Sequence, residues 1–255
     1  MAGGGSINQF YVTLSSDASM DLYPDNVVSS YKTKLSEPLN LTGDWEVGLC
    51  EVMYVHAFNN VHYGENQFIY DGGDGLGFRS AVIQPGHYDQ FSNLSAAVKS
   101  AMSPGGKRNI DMAYNPVTRK VTVDLINGAK IFMYKRMAAL FGFKNGERMT
   151  TSTEAPYVFD ITGGIHAMHV YTNIVNSQIV GHTKSQLLRL VGIIGQDGEV
   201  VTRVFQTPYY LGVAQRYIDC IEIEVTDQKG ERIRFNRGRF TAVLHFRKSR
   251  GALIF

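Results

Sequence analysis

The segment Tyr217-Ile218-Asp219-Cys220-Ile221-Glu222-Ile223-Glu224-Val225-Thr226 sets Ile221, Ile223 and Val225 on one side of an extended chain and Glu222 and Glu224 on the other. A period of two is the mark of a strand with one face in a core and the other in water. Asp227-Gln228-Lys229-Gly230 then reads as a turn, and Arg232 to Phe235 as the returning edge of a hairpin.

Outward from this segment the same reading recurs. Gln9 to Leu14 alternates polar Gln9, Tyr11 and Thr13 with apolar Phe10, Val12 and Leu14. Strands are also expected over Val27 to Leu35, ended by Pro38, and over Trp45 to Val55, where both faces carry partly buried positions. Further strands fall at Phe78 to Ile83, Ile165 to Ile174, Leu187 to Ile194, Glu199 to Phe205 and Arg239 to Arg247. Ile110 to Tyr114 and Lys120 to Leu125 flank Asn115-Pro116-Val117-Thr118 as a hairpin, and Gly64 to Gly77 is rich in turns.

Helical spacing occurs at Phe91, Leu94, Val98 and Met102, with Asp89 as N-cap and Pro104-Gly105-Gly106 as stop. Met133 to Phe143, ended by Gly142, reads as a second short helix. Roughly nine to twelve strands with two short helices make the chain mainly all-β, and the spacing of its turns fits a sandwich. No repeat, low-complexity tract or interdomain linker interrupts it.

Composition narrows the function. A chain of 255 residues, 44% hydrophobic, with 25 Lys and Arg against 23 Asp and Glu, is an ordinary globular protein that can bury a core without staples. The net charge of +2 is too small for nucleic-acid binding by bulk electrostatics, so any basic function is local. Only Cys50 and Cys220 are present, which excludes a disulfide framework and favours a reducing compartment. No signal peptide and no membrane-spanning apolar run is read, so neither secretion nor membrane insertion is expected.

Catalytic signatures are missing: there is no Gly-x-Ser-x-Gly, no phosphate-cradling GxxxxGK[ST] and no HExxH. His166 and His169, three apart on a strand, point to opposite faces and do not share a metal. Cys50 and Cys220 lie in apolar strands and read as core, while Asp21, Asp25, Asp71 and Asp74 read as solvated turn residues. No enzyme activity, cofactor or metal is therefore expected.

One charge cluster stands out, formed by Lys229, Arg232, Arg234, Arg237, Arg239, Arg247, Lys248 and Arg250, with Glu231 the sole acid from Lys229 onward. Arg232, Arg234, Arg237, Arg239, Arg247, Lys248 and Arg250 are the candidate partner interface, facing an acidic neighbouring subunit or packaged genome. Sparse aromatic interleaving weighs against nucleic acid, and guarding of an edge strand is the competing explanation.

Several segments together resemble a capsid protein of the Maverick or Polinton elements and their adintovirus relatives. They are Phe10-Tyr11-Val12-Thr13-Leu14-Ser15-Ser16-Asp17-Ala18-Ser19-Met20, Tyr23-Pro24-Asp25-Asn26, Gly43-Asp44-Trp45-Glu46-Val47-Gly48-Leu49 and Ile83-Gln84-Pro85-Gly86-His87-Tyr88. Leu140-Phe141-Gly142-Phe143, Val170-Tyr171-Thr172-Asn173-Ile174-Val175, Gln178-Ile179-Val180-Gly181, Ile221 to Asp227 and Leu244-His245-Phe246-Arg247 continue the likeness over most of the chain. His182-Thr183-Lys184-Ser185 departs from it, since relatives tend to carry an acidic residue after the glycine.

Such elements carry a long double jelly-roll hexon-like protein and a shorter single jelly-roll penton-like protein, and 255 residues suit only the second. The resemblance thus implies a single jelly-roll β-sandwich over residues 1–255, with an embedded insertion near 64–148 that holds a short helix and hairpin. It implies a minor capsid protein of the virion, assembled inside the host cell as homopentamers at icosahedral vertices. Its partners would be further copies of itself, the hexon-like major capsid protein, and a fibre or host receptor. The alternatives are another structural component of the same element, or a β-sandwich module binding a carbohydrate or receptor through Tyr54, Tyr63, Tyr70, Tyr209 and Tyr210. A cupin-type enzyme would need metal-binding residues clustered around His56, His62 and His87.

Overall fold

The computed structural model describes residues 8–249, which divide into two compact units. One is formed by the chain up to Ala57 and again from His166, the other by Phe58–Ile165.

The first unit begins with β1 (Gln9–Ser15), β2 (Ser30–Asn40) and β3 (Trp45–Val55). Alternation fixes which side chains enter its core: Leu14 of β1 and Val47, Leu49, Val52 and Tyr54 of β3 are almost completely buried. Tyr31 of β2 is buried as well, and its hydroxyl donates to the Leu14 carbonyl at 3.3 Å. Burial drives the Tyr31 phenol far above its ordinary range, so it stays a neutral donor.

The second unit follows in the chain: β4 (Gln67–Asp71), β5 (Phe78–Val82), α1 (Phe91–Ala101), α2 (Pro104–Asn109), β6 (Ile110–Asn115), β7 (Lys120–Leu125), β8 (Lys130–Met133), α3 (Lys135–Phe141), β9 (Glu147–Met149) and β10 (Thr153–Glu154). One antiparallel sheet has the order β5-β4-β8-β9 and another β10-β7-β6. Phe68, Tyr70, Ile131 and Met133 of the first sheet, Val121 and Val123 of the second, and Leu94 and Val98 of α1 close one core. Gly142, at φ +79°, ends α3 in the left-handed conformation that glycine takes at least cost.

The chain then completes the first unit with β11 (Ala167–Thr172), β12 (Gln178–Val180), β13 (Thr183–Ser185), β14 (Leu187–Gly192), β15 (Val200–Val204), β16 (Leu211–Gly212), β17 (Tyr217–Thr226) and β18 (Phe240–Lys248). One sheet runs β1-β18-β3-β15, with β16 pairing β3 alongside; the other runs β14-β11-β17-β2. Among the eight strands that build these sheets, chain order reads first, eighth, third, sixth in one and fifth, fourth, seventh, second in the other. This is the strand order of a jelly roll of two Greek keys, and Phe58–Ile165 lies in the chain between its third and fourth strands. Among the described residues no helix is long and apolar enough to cross a membrane.

The expected all-β jelly roll is therefore present, with local differences. β2 continues through Pro38, because its register against β17 jumps between Ile218↔Leu39 and Cys220↔Lys34, and the bulge carries the proline past the ladder. Arg232 to Phe235 is not a strand: one isolated bridge joins Arg232 to Thr226, while buried Ile233 plugs the loop. Pro104-Gly105-Gly106 ends α1 and also opens α2, with proline in the first turn where no N–H is needed and Ser103 as cap. Gln90, not Asp89, occupies the N-cap position of α1 and makes no side-chain capping bond; Met133 belongs to β8. The compact unit spans 58–165, a wider stretch than 64–148, and holds three helices and two sheets, more than the short helix and hairpin the resemblance implied and one helix more than the two read from spacing.

Candidate interface surfaces

The basic side chains of the C-terminal region separate in space. Arg232 donates to Glu224 Oε1 at 2.7 Å, Arg239 reaches Asp17 Oδ2 at 3.4 Å, and Arg247 pairs with Glu46 Oε2 at 2.9 Å. Hydrogen bonding from the Ser15 hydroxyl, helped by Arg239, holds the Asp17 carboxyl below its usual range. Arg234 and Arg237 are exposed and Lys248 is half-buried; none of the three meets a carboxylate within ion-pair distance among the described residues. Arg250 lies outside the described residues.

Arg232 and Arg234 share one hollow. The loop holding them is tied by Asp227, whose carboxylate accepts from the Lys229 and Glu231 amides at 2.8 and 3.0 Å. Its return beside Val27, Val28 and Ser29 leaves a cavity of ≈ 530 Å³, with Ile233 and Phe235 as apolar lining.

The two sheets present unlike outer faces. On the β14-β11-β17-β2 sheet, Lys32–Glu222 at 2.8 Å, Lys34–Asp219 at 2.7 Å and Arg232–Glu224 form a self-neutralised charged surface. On the β1-β18-β3-β15 sheet, registers align Thr13, Val243, Glu51 and Val204 in one row and Ser15, Thr241, Met53 and Thr202 in the next. Val200 and Val204 there are 66% and 65% exposed. This face is mixed, Thr, Ser and Glu51 around a few apolar side chains, and its exposed valines on β15 are the part that suits contact with another protein.

Sequence reading missed two arginines that close the β14–β15 side of the sandwich. Arg189 stacks on Phe205 at 3.9 Å and Tyr209 at 4.4 Å, and Arg203 donates to the Gly192 carbonyl at 2.7 Å. Aromatic residues spaced a few positions after a strand arginine were the only local sign of this. At the other end, Arg247 lies 3.4 Å from the Tyr210 ring centroid, and Tyr210 Oη is 2.7 Å from His245 Nδ1.

Tyr54 and Tyr70 are buried, so they are core residues and not stacking surfaces; Tyr63 and Tyr209 are exposed. Cys50 and Cys220 are half-buried and unbridged, less enclosed than a core reading implies. Cys50 is the bulge residue of β3, its Sγ 3.1 Å from the Val243 carbonyl, and burial pushes its thiol up. His166 precedes β11, whereas His169 sits on it with Nδ1 2.9 Å from the Asp227 carbonyl. Among the described residues no group of three or more His, Cys, Asp or Glu side chains is arranged to hold a metal ion.

A jelly roll interrupted between its third and fourth strands by a second compact unit defines the class of fold. No family model and no curated protein matches the sequence. Among solved structures the chain is similar to the mavirus penton protein, with a TM-score of 0.54 and 8% sequence identity. The match covers 95% of this chain and 100% of that one, so the chain has the penton-type capsid-protein fold along nearly its whole length.

Proposed function

We propose that the protein is a structural, non-enzymatic capsid protein of a virion, the penton-like minor component, closing homopentamers at icosahedral vertices. The observation that carries this reading is the end-to-end likeness of fold to a viral penton protein. A ring of identical subunits uses a heterologous interface, in which one patch of a copy meets a different patch of the next. The exposed valines of β15, Val200 and Val204, with Val243 in the same row as Val204, are our candidate for one such patch. Arg234, Arg237, Lys248 and Arg250, with the paired Arg232, Arg239 and Arg247, are our candidate for a contact with an acidic neighbour, either another copy or a hexon-like protein.

Val204→Asp tests the reading. Val204 is 65% exposed, but Asp there would face Glu51 across the strands and is a poor strand former, so the substitution costs the folded monomer about 1–2 kcal/mol. A carboxylate trapped in each contact of a ring would cost several kcal/mol and abolish assembly. Loss of particles or rings is expected with the monomer still folded and its melting temperature lowered by only a few degrees. Assembly equal to that of the unsubstituted protein removes this face from the interface. Neutralising Arg234, Arg237, Lys248 and Arg250 together should weaken assembly most at low salt, where the attraction is least screened, and normal assembly at every salt concentration would remove their role.

A further inference from the structure

We propose that the outer face of the β5-β4-β8-β9 sheet is a docking surface for a partner-protein segment that carries carboxylates beside aliphatic side chains. The inference rests on this unit alone and stands whether or not the chain forms pentamers.

One face of that sheet is core: Phe68, Tyr70, Ala81, Ile131, Met133 and Met149 are buried. The opposite parity should face water and be polar. It instead carries Ile69, Phe78, Val82 and Phe132, with Phe78 and Val82 47% and 58% exposed. Register gathers them: Ile69 pairs with Ser80 and Phe132 on either side, and Phe132 pairs with Arg148.

Phe78 and Phe132 meet edge to face at 5.2 Å. Arg148 lies 4.8 Å from the Phe132 ring centroid and 5.7 Å from that of Phe78, and Lys130 lies 5.7 Å from Phe78. Beside this patch, Ile69, Gln67, Ser80, Tyr134 and Lys135 help line a hollow of ≈ 430 Å³, within the size range of ligand pockets.

Charge selects the occupant. Among the described residues, Lys130, Lys135 and Arg148 have no carboxylate within ion-pair distance. Of the acids nearby, Glu65 holds Arg136 at 3.2 Å, Glu147 accepts from the Lys144 amide at 2.8 Å, and Asp71, opposite Lys130 in the register, accepts from the Gly73 amide at 3.0 Å, so Asp71 offsets part of the charge of the three cations on this face. The surface is therefore apolar at its centre and cationic at its rim, the composition of an interface core rich in aromatic residues and Arg. Ring chemistry separates a peptide from a nucleic acid or a sugar. Bases and sugars stack on open aromatic faces, whereas here the rings meet each other and lie under cations. What is left open is ring edges and methyl groups, which suit aliphatic side chains.

The test is selection from a randomised peptide library displayed on phage against the full chain. Enriched peptides should place Asp or Glu within a few residues of Leu, Ile or Val. Their affinity, read by fluorescence anisotropy, should fall at least about tenfold on Arg148→Glu, the scale of an interface hot spot. Arg148 is exposed, so this variant keeps its fold, and an unchanged melting temperature verifies that. Lys107→Glu makes the same charge change on α2, whose Gly106 packs against Tyr70 on the buried face, and should leave binding unchanged. No enrichment of acidic peptides, or equal binding by Arg148→Glu, overturns the proposal. So does Arg148-dependent binding of a sialylated glycan or single-stranded oligonucleotide probe without binding of peptides.

Discussion

His245 makes the stability of the jelly roll fall in mild acid. The ring is 8% exposed, stacks on Tyr11 of β1 with centroids 4.5 Å apart, and holds Tyr210 through Nδ1. Its Nε2 is buried without a hydrogen-bond partner. Glu46 of β3 faces Arg247 two residues along β18, so the nearby carboxylate is already engaged. Burial first, and the Arg247 charge second, push the His245 pKa below its ordinary value of 6.5.

The sign follows from linkage. The unfolded chain takes up a proton near its ordinary pKa while the folded chain resists it. The stabilisation is then complete above about pH 6.5 and is lost as pH falls toward the lower folded value. The slope is at most about 1.4 kcal/mol per pH unit over that interval. Urea denaturation at a series of pH values between neutrality and mild acid measures it, in the natural chain and in His245→Gln. Carboxylates contribute their own slope to both proteins, so the difference between the two curves isolates the ring. That difference should be flat above about pH 6.5 and shrink below it. A constant difference, or one that grows in acid, would refute the reasoning.

Three other substitutions probe the packing. Gly105→Ala would drive a Cβ into the Asp74 carboxylate, which Arg79 holds at 2.7 Å, and should destabilise by about 1–3 kcal/mol in urea unfolding. Phe246→Ala removes a fully buried ring stacked on Phe10 at 4.9 Å, and a loss of about 3–5 kcal/mol is expected by the same measurement. Arg239→Ala breaks a pair whose partners are both more than half exposed, so thermal unfolding should shift by no more than about 1 kcal/mol.

Much of the sandwich was legible because its strands carry their instructions locally. Ile221, Ile223 and Val225 declare the inward face of β17 within a few residues, and the β6–β7 hairpin declares its register through its own turn. The resemblance supplied what periodicity does not, namely which strands neighbour which. Local pattern failed where distant residues decide. Pro38 stays inside a strand because a bulge opposite Asp219 absorbs it. Arg239 and Arg247 look like part of a free basic cluster until folding brings Asp17 and Glu46 to them from the other end of the chain. Tyr54 and Tyr70 match exposed aromatics in type, and only the sheet's facing shows that they are core. The outer face of β5 and β8 stayed unread for the same reason, since Phe78 and Phe132 become neighbours only through β4.

The solution mass of the purified protein, by light scattering at rising concentration with and without a hexon-like partner, tests the central claim most directly. The account predicts a species of five chains, five times 28.4 kDa or about 142 kDa, with fivefold rings in negative-stain images of the same peak. A monomer under both conditions, or a closed assembly of any other copy number, would contradict it.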